Sequence, residues 1–291
     1  MKKYKFLAIG FWLVSFVVFY TFLNGGLLLP TKEIMADTTT TATDVANATP
    51  TVTAITPDTS ITLTEGTTAV ATSTGTVQDN NGYGDITAVT AVFFDDDAVN
   101  SDCSSDENNC YTDIACSTST CSDTTCSVSC SADTWYYANA TSSWKWEITV
   151  NDGTATSSTS SASVTISELV ALDVTASISY GSVGLEETSS GATVTVTNTG
   201  NKDGLDAKVS SASSMSCTTG SISQSAQHYA TSSSSFTYGD GEILSATSTS
   251  VGLNISQRTA AASTGDVYWK IQLPSSGILG TCSGSTVFTA N

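Results

Sequence analysis

The chain is short of positive charge. Its 291 residues carry nine lysines and arginines against 27 aspartates and glutamates, a formal net charge of −18. A surface of that sign repels phosphate backbones and anionic headgroups, which excludes nucleic acid and anionic lipid as partners. Histidine is almost missing: His228 is the only one. A hydrolase needs base, nucleophile and orienter, and no G-x-S-x-G elbow accompanies this histidine, so the many serines read as surface and His228 as structural. The reading is therefore of a protein that is not an enzyme and has no resident cofactor. There is also no C-x-x-C pair, the short knuckle through which two thiolates reach one tetrahedral zinc. Over residues 50–168 no helical period can be found.

Cysteine itself is present, eight times, and six lie within CSSDENNCYTDIACSTSTCSDTTCSVSC, residues 103–130. The gaps between Cys103, Cys110, Cys116, Cys121, Cys126 and Cys130 hold 6, 5, 4, 4 and 3 residues, which fit neither zinc nor iron–sulfur ligation. Asp102, Asp106, Glu107, Asp113 and Asp123 crowd the segment, and negative charge raises a thiol pKa instead of activating it. What remains is a disulfide framework in a polar loop with too few apolar residues to pack by itself. The six are expected to pair among themselves, in a connectivity that spacing does not fix. Each short closure removes roughly 2–3 kcal/mol of unfolded-chain entropy.

Disulfides require an oxidising compartment, and the N-terminus offers a route to one. MKKYKFLAIGFWLVSFVVFYTFLNGGLLLP sets Lys2, Lys3 and Lys5 before an apolar run over residues 6–29. That is the pattern of a signal peptide or a signal anchor with its basic end in the cytoplasm. The run is longer than the usual signal core and nearly long enough to span a bilayer. Cleavage after Ala36 is the expectation; if the segment is retained, residues 6–29 are the only membrane contact. The remainder then lies outside the cell or on its surface. Four of the nine basic residues (Lys2, Lys3, Lys5, Lys32) and one of the 27 acids (Glu33) precede Ala36, leaving 26 acids, five bases and a net charge near −21.

Residues 37–49, DTTTTATDVANAT, have no apolar periodicity and read as a threonine-rich stalk. Beyond them come short β-branched and aromatic runs between Gly, Asn and Asp turns, in two sets covering 50–168 and 169–291. TSTGTVQDNNGYGDITAVTAVFF (72–94) and WKWEITVNDGTATSSTSSASVTIS (144–167) resemble repeats of the immunoglobulin-like class of exported microbial proteins, near polycystic-kidney-disease and cadherin-like modules. TASISYGSVGLEE, VTVTNTGN, QHYATSSSSFTY and VYWKIQLPSSGILGTCSGSTVFTA, within 172–290, are similar to C-terminal sandwich domains of archaeal and uncultured-bacterial surface proteins. The resemblance implies an all-β fold: two tandem immunoglobulin-like β-sandwich domains after a signal or anchor helix, with the disulfide-rich loop 103–130 inserted in the first. It carries no catalytic residue across. Related domains often have an aromatic in the turn occupied by Cys282, which implies a staple from Cys282 to Cys217. These two are also the only cysteines of the second domain, where an odd thiol outside the cell would be a liability.

Several side chains invite a binding role. Trp144 and Trp146 alternate with Lys145, Glu147 and Thr149, the signature of a strand with one core face. Tyr136 and Tyr137 point to opposite faces if the strand continues, so at least one is expected at the surface, and with Trp135 they are the candidates for a glycan contact. Asp79, Asn81 and Asp85 surround the glycine turn of DNNGYGDI, and with Asp95 and Asp97 they could supply oxygen ligands to calcium, although no EF-hand loop is present. The plainer reading of DNNGYGDI is an Asn-Gly turn. Asn47, Asn139 and Asn254 head N-x-S/T sequons that permit glycosylation. LPSSG at 273–277 lacks the apolar, basic tail of a sorting signal and reads as the turn before a closing strand.

Two function classes follow. One is a non-catalytic extracellular structural or adhesive surface protein, with other surface components or extracellular glycans as partners. The alternative is a carbohydrate- or calcium-binding module acting through the loops of the first domain. A convergent, concave cluster of the aromatics and carboxylates would favour the second, and a scatter the first.

Overall fold

Residues 144–151 show how the pattern becomes structure. In the order WKWEITVN, Trp144, Trp146, Ile148 and Val150 are buried while the residues between them are only partly so. Successive side chains of an extended chain point to opposite faces, so one face of this strand enters the core. The same alternation recurs through most of the chain. The computed structural model describes residues 39–291. The apolar leader and the cleavage point at Ala36 lie outside the described residues. Residues 39–46 are exposed and without regular structure, and residues 47–291 form one compact unit.

The first half of that unit contains β1 (Thr51–Pro57), β2 (Ser60–Ile61), β3 (Thr68–Gln78), β4 (Ala88–Asp95), β5 (Cys110–Ala115), β6 (Ser117–Ser122), β7 (Thr125–Trp135), β8 (Trp144–Asn151), β9 (Thr156–Ser160) and β10 (Thr165–Ile166). The second contains β11 (Leu172–Val174), β12 (Ala192–Asn198), β13 (Ala207–Ser210), β14 (Met215–Thr219), β15 (Ser221–Ile222), β16 (Gln227–Ala230), β17 (Glu242–Ile243), β18 (Thr249–Ser250), β19 (Thr264–Ile271), β20 (Leu279–Ser283) and β21 (Val287–Ala290). Among the described residues the only helical elements are three single 3-10 turns. The fold is all-β.

In the first half, the antiparallel sheets β1-β3-β7-β6 and β5-β4-β8-β9 share one hydrophobic core. Val77, Val128 and Cys130 come from one sheet, and Phe93, Trp144 and Trp146 from the other. The Phe93 ring lies 4.7 Å from that of Trp144 and 4.8 Å from that of Trp146. Truncating any of these rings would cost about 3–5 kcal/mol. In the second half a five-stranded sheet, β11-β12-β19-β16-β17, packs Val194, Val196, Trp269 and Tyr229 against Ala207 and Val209 of the sheet β18-β13-β21. A third small sheet, β15-β14-β20, lies beside it. The two cores share no residue, and the chain passes from one to the other between Leu169 and Leu172.

All eight cysteines are paired: Cys103 with Cys110, Cys116 with Cys130, Cys121 with Cys126, and Cys217 with Cys282. The segment 103–130 is nonetheless not the loop expected. Apart from the turn before Cys110 it is largely β5, β6 and the start of β7. Along β7 burial alternates strictly, with Cys126, Val128, Cys130 and Ala132 facing inward. The segment has few aliphatic residues, Ile114 and Val128 among them, and its cystines share the packing with these, a joined pair of sulfurs being as apolar as the side chains usually found in such places.

Candidate functional site

The carboxylates expected to share a calcium ion do not meet. Asp79, Asn81 and Asp85 lie on the connection between β3 and β4, before β4 begins, whereas Asp95 is the last residue of β4 and Asp97 follows it. An eight-residue strand therefore separates the groups, a span of about 23 Å at the usual rise per residue. Among the described residues no three His, Cys, Asp or Glu side chains gather as metal ligands. The five-residue site is thus corrected to two separate places. At the first, Asp79 is fully buried, its Oδ1 accepts from the Asn81 amide at 2.8 Å and its Oδ2 has no hydrogen-bond partner among the described residues. Asn81 Oδ1 accepts from the Ala48 amide at 2.6 Å, and Asp85 is exposed.

At the second place Asp95 acts as an anchor. It is buried, its Oδ1 accepts from Ser143 Oγ at 2.5 Å and from the Asp97 amide at 3.3 Å, and its Oδ2 accepts from Asn139 Nδ2 at 3.1 Å. Beside it a cleft of about 450 Å3 runs between the two halves, lined by Asp95, Asp97 and Asn139 on one side and Asn201, Asp203 and Gln257 on the other. Glu168, also on its wall, is 3.5 Å from Lys202. The sequon residue Asn139 donates from its amide nitrogen to both Asp95 and Asn109, so the atom that would carry a sugar is already engaged. Asn47 donates to Asp152 at 2.8 Å, and Asn254 is exposed.

Next to the cleft lies a polar cluster that contains two of the three aromatics expected to face a glycan; the third, Trp135, ends β7 only partly buried, with its ring 5.8 Å from that of Tyr137. Tyr136 and Tyr137 are 7% and 1% exposed. The alternation used to place one of them at the surface ends with β7 at Trp135, and beyond it the chain turns, so both rings fall on the same, inner side. Arg258 comes from the second half and stacks on Tyr137 with its guanidinium carbon 4.6 Å from the ring centroid, while its Nη1 donates to the Tyr136 hydroxyl at 3.1 Å. That hydrogen bond favours the charged guanidinium still further. The Tyr137 hydroxyl donates to Glu107, and burial, followed by that hydrogen bond, pushes its pKa up to about 12. Burial likewise raises the Tyr111 hydroxyl, which donates to the Glu107 carbonyl and accepts from the Trp135 amide.

Side-chain amides complete the joint. Asn108 Nδ2 donates to the Tyr137 carbonyl at 2.8 Å and to the Arg258 carbonyl at 2.6 Å, and Gln257 Nε2 donates to the Tyr137 carbonyl at 2.6 Å. Asn201, 3% exposed, accepts from the Leu169 amide and donates to the carbonyls of Ala138 and Ser167. One glycine is demanded by this contact: a Cβ on Gly200 would stand 2.0 Å from the Leu169 carbonyl oxygen. Sequence reasoning missed Arg258, Asn108, Asn201 and Gln257. The signal was available only in Arg258, the one arginine of the chain.

The remaining candidates are placed simply. Trp144 and Trp146 are fully buried. His228 stacks on Tyr238 at 4.0 Å, with its Nδ1 2.7 Å from the Tyr238 carbonyl oxygen. Residues 273–277 form the bend before β20. No protein-family model matches the chain, and no curated protein matches it in sequence.

Proposed function

We propose that this chain is an exported, non-catalytic structural or adhesive component of a microbial cell surface, built from two tandem immunoglobulin-like sandwiches held as one stiff body. The observation that carries the reading is the joint. Arg258, Asn108, Asn201 and Gln257 tie the two halves through buried and partly buried charge-assisted and amide hydrogen bonds, and Tyr136 and Tyr137, two of the aromatics that a glycan site in the first half would have used, are enclosed in it. Several hydrogen bonds that cross between two parts of a chain favour one arrangement of those parts, although Arg258 Nε itself finds no partner among the described residues. A spacer or adhesin stalk needs that property; two independent beads on a linker would lack it. The four disulfides are consistent with an oxidising exterior.

Cell fractionation with immunogold microscopy tests the location, and small-angle X-ray scattering tests the stiffness. The protein is expected in the surface fraction without free thiols, with a scattering curve of one rigid body. Arg258→Ala should broaden the distance distribution and expose the chain near residues 167–172 to protease. Recovery from the cytoplasm with reduced cysteines, or a native protein that already scatters as two independent lobes, would defeat the proposal.

A further inference from the structure

Away from the joint, a groove of about 400 Å3 opens in the second half between the segment that follows β11 and the chain of β20 and β21. That volume falls within the roughly 300–1,000 Å3 of small-molecule sites. None of the residues that line it is charged, on a chain of net charge −18. Its walls are Ile178, Tyr180, Met215 and Phe288, its rim includes the exposed Ser283, and Gln227 also lines it.

Gln227 is 5% exposed. Its Oε1 accepts from the Tyr180 hydroxyl at 2.8 Å, while its Nε2 donates to nothing among the described residues. That nitrogen is not among the side-chain atoms sealed from solvent without a partner, so it opens on the groove as a donor that a ligand oxygen can take over from water. Burial raises the Tyr180 pKa, so that hydroxyl stays protonated and holds the amide in place. One wall is braced by the fold: the Cys217–Cys282 bridge ties β14 to β20, and β21 is laddered to β13. A site so braced spends less of its binding energy on ordering.

We propose that this groove binds a neutral sugar residue, with Gln227 Nε2 donating to a sugar oxygen and the Tyr180 and Phe288 side chains covering its C–H face. A cation finds no carboxylate in the lining, and an anion is repelled by the whole molecule. A sugar is uncharged, carries acceptor oxygens, and presents one apolar face, which is the combination of this lining. An extended peptide is neutral too, and the edge strands β20 and β21 border the groove, but strand addition draws its affinity from backbone groups of a ladder edge and would leave the Gln227 amide unused.

The test is saturation-transfer NMR on the purified chain. The probes are glucose, galactose, mannose and N-acetylglucosamine, each as monosaccharide and as linear tetrasaccharide, with a serine- and threonine-rich octapeptide alongside. At least one sugar should saturate, and Gln227→Leu should weaken its binding tenfold or more. Ser283→Trp, at an exposed rim position, should block the groove with the thermal melt unchanged. It decides the matter if Gln227→Leu fails to fold. Tighter binding of the tetrasaccharide would identify a glycan chain as the source, and equal binding a free sugar. Binding of none of the sugars, binding undiminished by the variants, or a preference for the peptide would overturn the proposal. Neither variant touches the joint, so the scaffold reading is decided separately.

Discussion

Asp95 carries more of the structure than the end of a strand usually does. It accepts from Ser143, Asn139 and the Asp97 amide, and through Asn139 it supports the wall of the inter-core cleft. Asp95→Ala would strand those donors, and unmet buried groups cost about 1–3 kcal/mol each. The variant should lose about 2–4 kcal/mol in urea denaturation; a loss within error would show that water replaces the carboxylate. Tyr137 sets an alkaline limit. Its folded pKa of about 12 lies above the ordinary 10.0, so the native state binds the proton more tightly than the unfolded chain. Its contribution is complete below pH 10 and is lost as pH rises from 10 towards 12. Tyr111 and Tyr180 move in the same direction. Tyr137→Phe keeps the ring under Arg258 and should flatten the fall in melting temperature across that window. At this scale the sequence was readable where a side chain follows a strand's own period, as at Trp144 and Trp146. It was unreadable at Tyr136 and Tyr137, because a turn after Trp135 set their direction.

The cystines belong to the scale of elements. Three of the four bridges lie within 103–130 and close 5, 7 and 14 residues, while Cys217–Cys282 closes 65. Loop entropy then ranks them, from about 2 kcal/mol for the shortest to about 4 kcal/mol for the longest. Paired Cys→Ser variants should follow that order in chemical melts, with Cys217→Ser/Cys282→Ser the worst. Equal losses from all four would mean that packing of the sulfurs, and not closure, is what matters. The framework was legible from an even count without metal spacing. That its residues form strands was not, because cysteine was weighed as chemistry and not as a core side chain, although Cys126 and Cys130 alternate with serine along β7 in an ordinary two-residue period.

For the whole molecule the dominating quantity is charge. The 27 acids and nine bases leave a surface that repels itself. Raising salt from about 0.01 M to about 1 M shortens the screening length from roughly 30 Å to 3 Å. The melting temperature should therefore climb with sodium chloride. A flat response would show that the acids sit too far apart to interact. Two separate cores could be anticipated from turn spacing alone, but their joint could not, since its members are scattered from Glu107 to Arg258 and are held together only by the fold.

The Cys217–Cys282 bridge has a mechanical consequence. When an anchored chain is pulled from its two ends, force passes through the covalent link and bypasses the 65-residue interval between the two cysteines. At about 3.4 Å per extended residue, roughly 220 Å of contour length is withheld from any stretch. Even with its second core torn open, the chain would pay out far less slack than its length suggests, and its far end would stay close to whatever it is fastened to.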